Sequence, residues 1–421
     1  MFWIYNLLLA LFSPIWVPLM ILKSRKRKEP VNWKERQGDY SISPRKDRMR
    51  IWIHAVSVGE VIAALPILKR IKDRAPEFEL VLTATTSSGY ATAEAQAKEI
   101  VDHLAYFPID VVRFQIAAMS RVTPCVVATM ETELWMNFLS AAEAFGAETA
   151  VINGRLSDRS YPRAKRFRFF YRSLLAMVGH VYTQTDEDAR RFRELGAQKV
   201  ETLGNSKFDQ AAESGSKSAD DWRTELKIPP GKPVVVIGST RGEEEEAIVM
   251  NAISEVGLDK ITVIHAPRHM ERVPDLATSI QSRFGAVAHR SKGETGPYIV
   301  LDTYGELASL YALADVAIIG GGFAPLGGQN ILQALAHGVP VIHGKHMHNF
   351  TDIVRQTLAS GASKEVENDQ LGIALNDLLN DQSTGEQMSK AAKTLMASNL
   401  GAADRYADAI VELARASILR K

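Results

Sequence analysis

Residues 314–344 read ADVAIIGGGFAPLGGQNILQALAHGVPVIHG, and this run decides the fold. Val316–Ile319 is short and continuously apolar, and it ends on Gly320, Gly321 and Gly322. Gly327 and Gly328 follow, then a helical pattern from near Gln329, then a second apolar run at Pro340–Ile342. A strand, a glycine turn, a helix and a second strand make a βαβ unit, whose strands are parallel and covered on both faces. Open parallel sheets bind ligands at the carboxyl ends of their strands. Glycines there let a backbone approach a ligand closely, and a helix N-terminus favours negative charge. Asn330 and Gln333 stand three apart near the start of the predicted helix, in reach of a ribose or base. The run points to a nucleotide sugar, with close helix–sheet packing as the competing account of its glycines.

Outward from this unit the same pattern recurs. Val234–Ile237, Ile261–His265 and Tyr298–Leu301 read as strands in the second half of the chain. Ile51–Ala55, Leu80–Ala84, Cys125–Thr129, Thr149–Asn153, His180–Thr183 and Val200–Leu203 read as strands in the first. With 421 residues the chain exceeds what one core usually serves. AAESGSKSADDWRTELKIPPGKP, residues 211–233, reads as a surface linker with a short helix. The expectation is an α/β protein of two Rossmann-like domains, residues 40–225 and 226–400, facing a cleft. Residues 401–421 form a last helix, with Tyr406, Ile410, Leu413 and Ile418 at near-helical spacing, expected to pack back on the first domain.

The 50 basic and 49 acidic side chains nearly cancel, so bulk charge gives no reason to expect a nucleic acid polymer as partner. Cys125 is the single cysteine, which excludes an intrachain disulfide and a cysteine-based metal site. Met1–Leu22 carries no charge, and Lys23, Arg25, Lys26, Arg27 and Lys28 follow at once. Residues 1–28 therefore read as a membrane anchor with a basic flank that stays cytoplasmic. Pro14 and Pro18 keep a second form open, a helix lying in the interface.

Candidate chemistry follows the strands. In IWIHAVSVGEV, Glu60 falls in the first turn of a helix, where it either complements the dipole or serves as a general base. Ser57 stands beside it. Thr86 and Ser88, in TATTSSGY, either cap the next helix or bind an anion or sugar. Glu133, Arg155 and Arg159 either hold an acidic acceptor or form ion pairs, with Asp158 and Glu133 as the carboxylates. His54, inside an apolar strand, reads as a core histidine. In GSTRGEEEE, Gly238, Ser239 and Thr240 make an anion nest, and Glu243–Glu246 are explained by the helix dipole. Arg268 and His269 come just past a strand, where an arginine grips a phosphate or carboxylate in bidentate fashion.

HAVSVGEV, TATTSSGY, YFPID, ETELWMN, NGRLSDRSY, QTDEDARRF, GNSKFD, APRHMERV, LDTYGEL, GGGFAPLGGQN and HGVPVIHG occur in this order from His54 to about Asp352. The chain thereby resembles the 3-deoxy-D-manno-octulosonic acid (Kdo) transferases of lipopolysaccharide and lipid A synthesis. The resemblance implies a GT-B glycosyltransferase fold, CMP-Kdo as donor and a lipid A precursor as acceptor, with no metal and no separate cofactor. It implies a cytoplasmic body on the bacterial inner membrane, whose anionic lipids are a further partner. It gives Glu60 the role of catalytic base. Arg268, His269, Ser239, Gly321, Gly322, Gly327, Gly328, Asn330 and Gln333 fall to the donor, as does Lys207, which stands with Gly204 and Asn205 beside the cleft. Ser57, Thr86, Ser88, Glu133, Arg155 and Arg159 are candidates for the acceptor. The chain departs from the family pattern at Gln329, at Gln333, where a Glu is usual, and at Arg241, where a His is common. These departures motivate one rival, a transferase of the same fold using another nucleotide sugar; a non-catalytic anchored binding module is a second, of a different class.

Overall fold

Runs such as IWIHA, LVLTA and VVATM are apolar on consecutive residues, and both faces of a strand built from them need cover. In the computed structural model, which describes residues 1–27, 32–44, 49–213 and 217–419, they lie at the centre of a parallel sheet. The chain divides into two compact units, Met1–Gln210 with Leu400–Lys421, and Ala211–Asn399.

The first unit holds β1 (Arg50–Ala55), β2 (Glu79–Ala84), β3 (His103–Tyr106), β4 (Pro124–Met130), β5 (Glu148–Gly154), β6 (His180–Thr183) and β7 (Val200–Thr202). They pair in parallel in the order β3-β2-β1-β4-β5-β6-β7. Every residue of β1, β2 and β4 is buried. Arg50 opens β1 from inside the protein, where Glu79 pairs with its Nε at 2.7 Å and the Val122, Arg121 and Ser43 carbonyls take its remaining donors. A buried guanidinium needs all of these partners. The last helix, Ala402–Leu419, belongs to this unit and lays Tyr406, Ala407, Ile410 and Ala414 into the core shared with the helix Val58–Arg74. Asp209 fixes its start by accepting from Gly401 N (2.7 Å) and Ala403 N (3.0 Å).

The second unit holds β8 (Val234–Thr240), β9 (Thr262–Pro267), β10 (Ala288–His289), β11 (Tyr298–Val300), β12 (Val316–Ile319), β13 (Val341–His343) and β14 (Ser363–Glu365). Their parallel order is β10-β11-β9-β8-β12-β13-β14. Both sheets reverse direction once, between β1 and β4 and between β8 and β12, and the carboxyl ends at such a reversal form a ligand crevice.

The structure adds β3, β10 and β14, which the sequence reading did not find; all three are edge strands, and each contains residues that are not buried. The division between units falls after Gln210, whereas the sequence reading put it after residue 225. Trp222 explains the difference: it is 2% exposed in the second unit, with Lys217 at 3.8 Å and Arg290 at 5.4 Å from its ring. The N-terminal helix Phe2–Arg27 runs through Pro14 and Pro18 and is long and apolar enough to cross a membrane. The basic flank, residues 23–28, has its side chains outside the described residues.

Candidate functional site

In the first unit the chain leaves β1 through Val56 and Ser57 and turns into the helix Val58–Arg74, so Glu60 stands at the sheet's reversal point. Its carboxylate does not point into water. Oε2 accepts from Val56 N at 2.8 Å, Oε1 accepts from Ser57 Oγ at 3.0 Å, and the residue is 8% exposed. Burial, with Glu131 and Glu133 nearby, pushes the Glu60 carboxyl up to about 7. Glu133 is likewise pushed up to about 7, by burial and then by Glu131. Both come from the segment after β4, where Glu131 takes a left-handed φ of 53°. Glu131 is paired: Lys207 Nζ donates to it at 2.6 Å from the start of the helix Ser206–Glu213. Asn153, at the end of β5, orders that start by accepting from Ser206 N at 3.2 Å. The carboxyl edge of this sheet thus holds one buried and one half-buried carboxyl group, both pushed up toward neutrality.

The remaining acceptor candidates of this unit are Thr86, Ser88, Arg155 and Arg159. Thr86 caps the helix Ser87–Gln96 by accepting from Gly89 N (3.1 Å) and donates to Val56 O (3.0 Å), while Ser88 is exposed beside it. Arg159 is exposed. Asp158 pairs with Arg191, whose guanidinium also holds the Leu156 carbonyl. Arg155 lends its backbone carbonyl to Thr132 Oγ1. His54 is fully buried, bonds Thr83 Oγ1 at 3.1 Å and stacks on Phe107, and burial lowers its pKa to about 3. Sequence reasoning missed the Lys207–Glu131 pair, because the partners lie far apart in the chain.

In the second unit the segments after β8 and β12 meet. Gly321 and Gly328 both have positive φ (76° and 81°), and Gly328 N donates to Gly321 O at 2.7 Å. A Cβ on Gly321 would sit 3.0 Å from Gly328 backbone, so close approach of the two loops requires glycine. Glu245 joins them to the β8 turn. Its fully buried carboxylate accepts from Arg241 N (2.7 Å) and Phe323 N (3.1 Å), and burial raises its pKa. Arg241 donates to Leu326 O at 2.9 Å. Glu246 is buried too and pairs with Arg272 at 2.8 Å. The helix dipole therefore does not account for this acidic run: two of its members are internal ligands. The helix expected from Gln329 is another correction. It spans Leu332–Ala336 only, because Gly327 and Gly328 hold positive φ and Asn330 Oδ1 accepts from Leu332 N at 3.0 Å. Asn330 thus precedes the helix and Gln333 lies in its first turn. Ser239 has φ 62° at the end of β8. Arg268 and His269 are exposed just past β9, and Arg268 N donates to Thr240 O at 2.9 Å. Among the described residues no group of three or more His, Cys, Asp or Glu is placed to hold a metal ion.

Two parallel-sheet units, each with one reversal of strand order, match a two-domain fold of the GT-B type. Comparisons with known proteins narrow the class. The sequence model of the family described as 3-deoxy-D-manno-octulosonic-acid transferase (kdotransferase) matches residues 31–210. The chain is 35% identical over 377 residues to the 3-deoxy-D-manno-octulosonic acid transferase of Bordetella pertussis, covering 86% of each protein. It is 28% identical over 417 residues to that of Haemophilus influenzae, covering 96% of each. Among solved structures, the UDP-GlcNAc 2-epimerase of Neisseria meningitidis shares the fold, with a TM-score of 0.60 at 13% identity over 89% of this chain and 100% of that one. The chain belongs to the 3-deoxy-D-manno-octulosonic acid transferase family and is a glycosyltransferase of lipopolysaccharide synthesis.

Proposed function

We propose that the protein transfers Kdo from CMP-Kdo to a lipid A precursor of the lipid IVA type, with inversion at the anomeric carbon and Glu60 as general base. The observation that carries this reading is the Glu60 carboxyl, buried at the reversal point of the first sheet and pushed up to about 7. A base of that strength is ionised in good part at neutral pH and still takes a proton readily. The acceptor hydroxyl oxygen attacks the Kdo anomeric carbon as its proton passes to Glu60. The bond from that carbon to the phosphate oxygen breaks on the opposite face, and CMP leaves with the bonding electrons. Ser57 and Val56 N hold the carboxylate in place. Glu133, Arg155 and Arg159, with Thr86 and Ser88, line the acceptor side. Lys207 balances Glu131, which otherwise adds a full negative charge beside Glu60.

The donor falls to the second unit. Arg268 and His269 grip the phosphate and the Kdo carboxylate. Ser239 and the backbones of Gly321, Gly322, Gly327 and Gly328 approach the nucleotide, and Asn330 and Gln333 take the ribose. A CMP donor has one phosphodiester and no diphosphate for a divalent ion to bridge, so arginine and backbone N–H groups carry the leaving charge. The acceptor is lipid-linked, which places the protein on the bacterial inner membrane, body to the cytoplasm, against anionic lipids. Incubation of the full chain with CMP-Kdo and the precursor should add one Kdo mass or more to the lipid. A lipid of unchanged mass, or equal use of a UDP-sugar, overturns the reading.

A further inference from the structure

β1 and β2 run side by side as far as Ala55 and Ala84, and beyond that pair each chain turns into a helix. The first of these turns supplies both partners of Glu60: Val56 N on Oε2 and Ser57 Oγ on Oε1. The peptide that joins Val56 to Ser57 therefore lies between the two groups that hold the carboxylate. Its oxygen is gripped from the second turn. Thr86 N and Thr86 Oγ1 both donate to Val56 O, each at 3.0 Å, and Gly89 N donates to Thr86 Oγ1 at 3.1 Å. A hydroxyl has one hydrogen to give. That of Thr86 is committed to Val56 O, so the residue borders the acceptor side with no hydrogen left for a sugar.

The two turns approach as closely as backbone allows. A Cβ on Gly89 would fall 2.9 Å from Thr86 Oγ1, 3.2 Å from Val56 O and 3.3 Å from the Ser57 carbonyl carbon. Gly89 is buried and has no positive φ, so what the missing side chain provides here is proximity. Ser57 adds to the case. It holds the N-cap position of the helix Val58–Arg74, yet its side chain makes no bond to a helix amide. An N-cap serine ordinarily accepts from an amide of the first turn. This one gives its hydroxyl hydrogen to Glu60 instead.

We propose that Thr86 is a positioning residue for the transfer reaction, which acts through the Val56–Ser57 peptide on both donors to Glu60 and touches no reacting atom itself. A peptide held by two donors at its oxygen keeps its plane. That plane fixes how Ser57 and the helix start bearing Glu60 are set against Val56 N. Donation to a carboxylate favours its charged form. The charged groups nearby do the opposite or are already paired: Glu131 and Glu133, after β4, oppose ionisation, and Lys207, from the helix Ser206–Glu213, is bonded to Glu131. Val56 N and Ser57 Oγ are the groups that work against burial here, and loosening them moves the ionisation of Glu60 upward. Residues 85–89 carry no charge, so a shift produced by altering Thr86 is geometric in origin. The inference rests on the reading of Glu60 as general base.

Full-length Thr86→Val, Thr86→Ser, Gly89→Ala and Glu60→Gln are assayed with CMP-Kdo and detergent-dispersed lipid A precursor from about pH 5 to about pH 9. Valine keeps the shape of threonine and removes the hydroxyl. The rising limb of kcat/KM is expected to move up by about one pH unit, leaving the variant about tenfold below the parent at pH 6 and close to it at pH 9. Thr86→Ser keeps both bonds and returns the limb to its parental position. Gly89→Ala keeps every hydrogen-bonding group but forces the turns apart. It should move the limb in the same direction, and it decides the matter if Thr86→Val does not melt cooperatively. A limb at the parental pH in folded Thr86→Val overturns the proposal: with a lower melting temperature alone Thr86 is a helix cap, and with a KM for the acceptor raised equally at every pH it is an acceptor contact. Glu60→Gln separates the two levels. A limb that persists in that variant sinks the base reading, whereas one that vanishes there and stays unmoved in Thr86→Val sinks the positioning role alone.

Discussion

The two units share a topology and use buried glutamates in opposite ways. At the reversal point of the first sheet, Glu60 has one backbone N–H and one hydroxyl as partners and stays under strain from burial and from two neighbouring carboxylates. At the reversal point of the second, Glu245 is embedded among backbone N–H groups that tie the glycine loops together. One carboxyl is held ready to change its proton, and the other is held to keep a loop still. Similar burial therefore carries a different meaning according to what the oxygens bond.

The largest effect expected from this contrast is on turnover. Glu60→Gln keeps shape and hydrogen bonds but removes the basic oxygen, and kcat should fall by at least ~10²-fold. In the parent, kcat/KM should rise with pH through about 7, as the Glu60 carboxyl ionises, and this limb should vanish in the variant. Stability moves the other way. A carboxyl raised from its usual value to about 7 contributes stability below about pH 4.5, and that contribution is lost as pH rises through 7. Glu60→Gln should therefore melt higher than the parent at pH 8, by roughly 1–3 kcal/mol, and show little gain at pH 5. Near-parental turnover would refute the base assignment, and a lower melting temperature at pH 8 would return Glu60 to a structural role.

Glu245→Ala should give the reverse pattern. It strands the Phe323 amide inside the protein, at a cost of about 1–3 kcal/mol, and removes the partner of the part-buried Arg241 amide. Denaturant unfolding should shift to lower concentration at every pH, and CMP affinity should fall because the glycine loops lose their common anchor. A variant as stable as the parent breaks the comparison, since Glu245 would then be no more structural than Glu60.

Arg268→Ala probes the donor side with less disturbance, because the side chain is exposed past β9. Loss of a charge-assisted bond costs roughly 1.5–3 kcal/mol, so kcat/KM for CMP-Kdo should drop about tenfold to a hundredfold, with no change in melting. Calorimetry with CMP reads the same contact directly, and unchanged affinity removes Arg268 from the site.

How much of this was legible in the chain depends on where each signal lives. The central strands announce themselves, because burial on both faces demands an unbroken apolar run such as Ile51–Ala55 or Val234–Ile237. Edge strands carry no such demand, and β10 and β14, as short as Ala288–His289 and Ser363–Glu365, leave no periodic trace. Glu60 was visible as a position but not in its energetics. At a helix start it reads as a favourable carboxylate worth about 1 kcal/mol or less, and only the packing around it reverses the sign. The Lys207–Glu131 pair and the role of Glu245 are products of tertiary approach. No spacing encodes them. The docking of Tyr5 on Asp110 is the extreme case, since nothing in an apolar run announces a partner more than a hundred residues away.

The smallest effect concerns Gln333, one of the three positions read from the sequence as departures from the family pattern. It is half-buried in the first turn of the short helix Leu332–Ala336, beyond Gly327 and Gly328. An amide keeps an acceptor oxygen for a ribose hydroxyl but lacks the charge of a carboxylate. Gln333→Glu restores that charge near a helix start, where a negative side chain gains about 0.3–1 kcal/mol. The variant should fold as the parent does and, because a charge-assisted hydrogen bond to the ribose is stronger than a neutral one, tighten CMP-Kdo by roughly twofold to fivefold, read as a lower KM at constant kcat. The gain should appear for CMP and CMP-Kdo alike, because the contact assigned to Gln333 is to the ribose and not to the sugar. An effect confined to CMP-Kdo would move Gln333 from the ribose to the Kdo, and an equal gain for a UDP-sugar would show that this position does not select the donor.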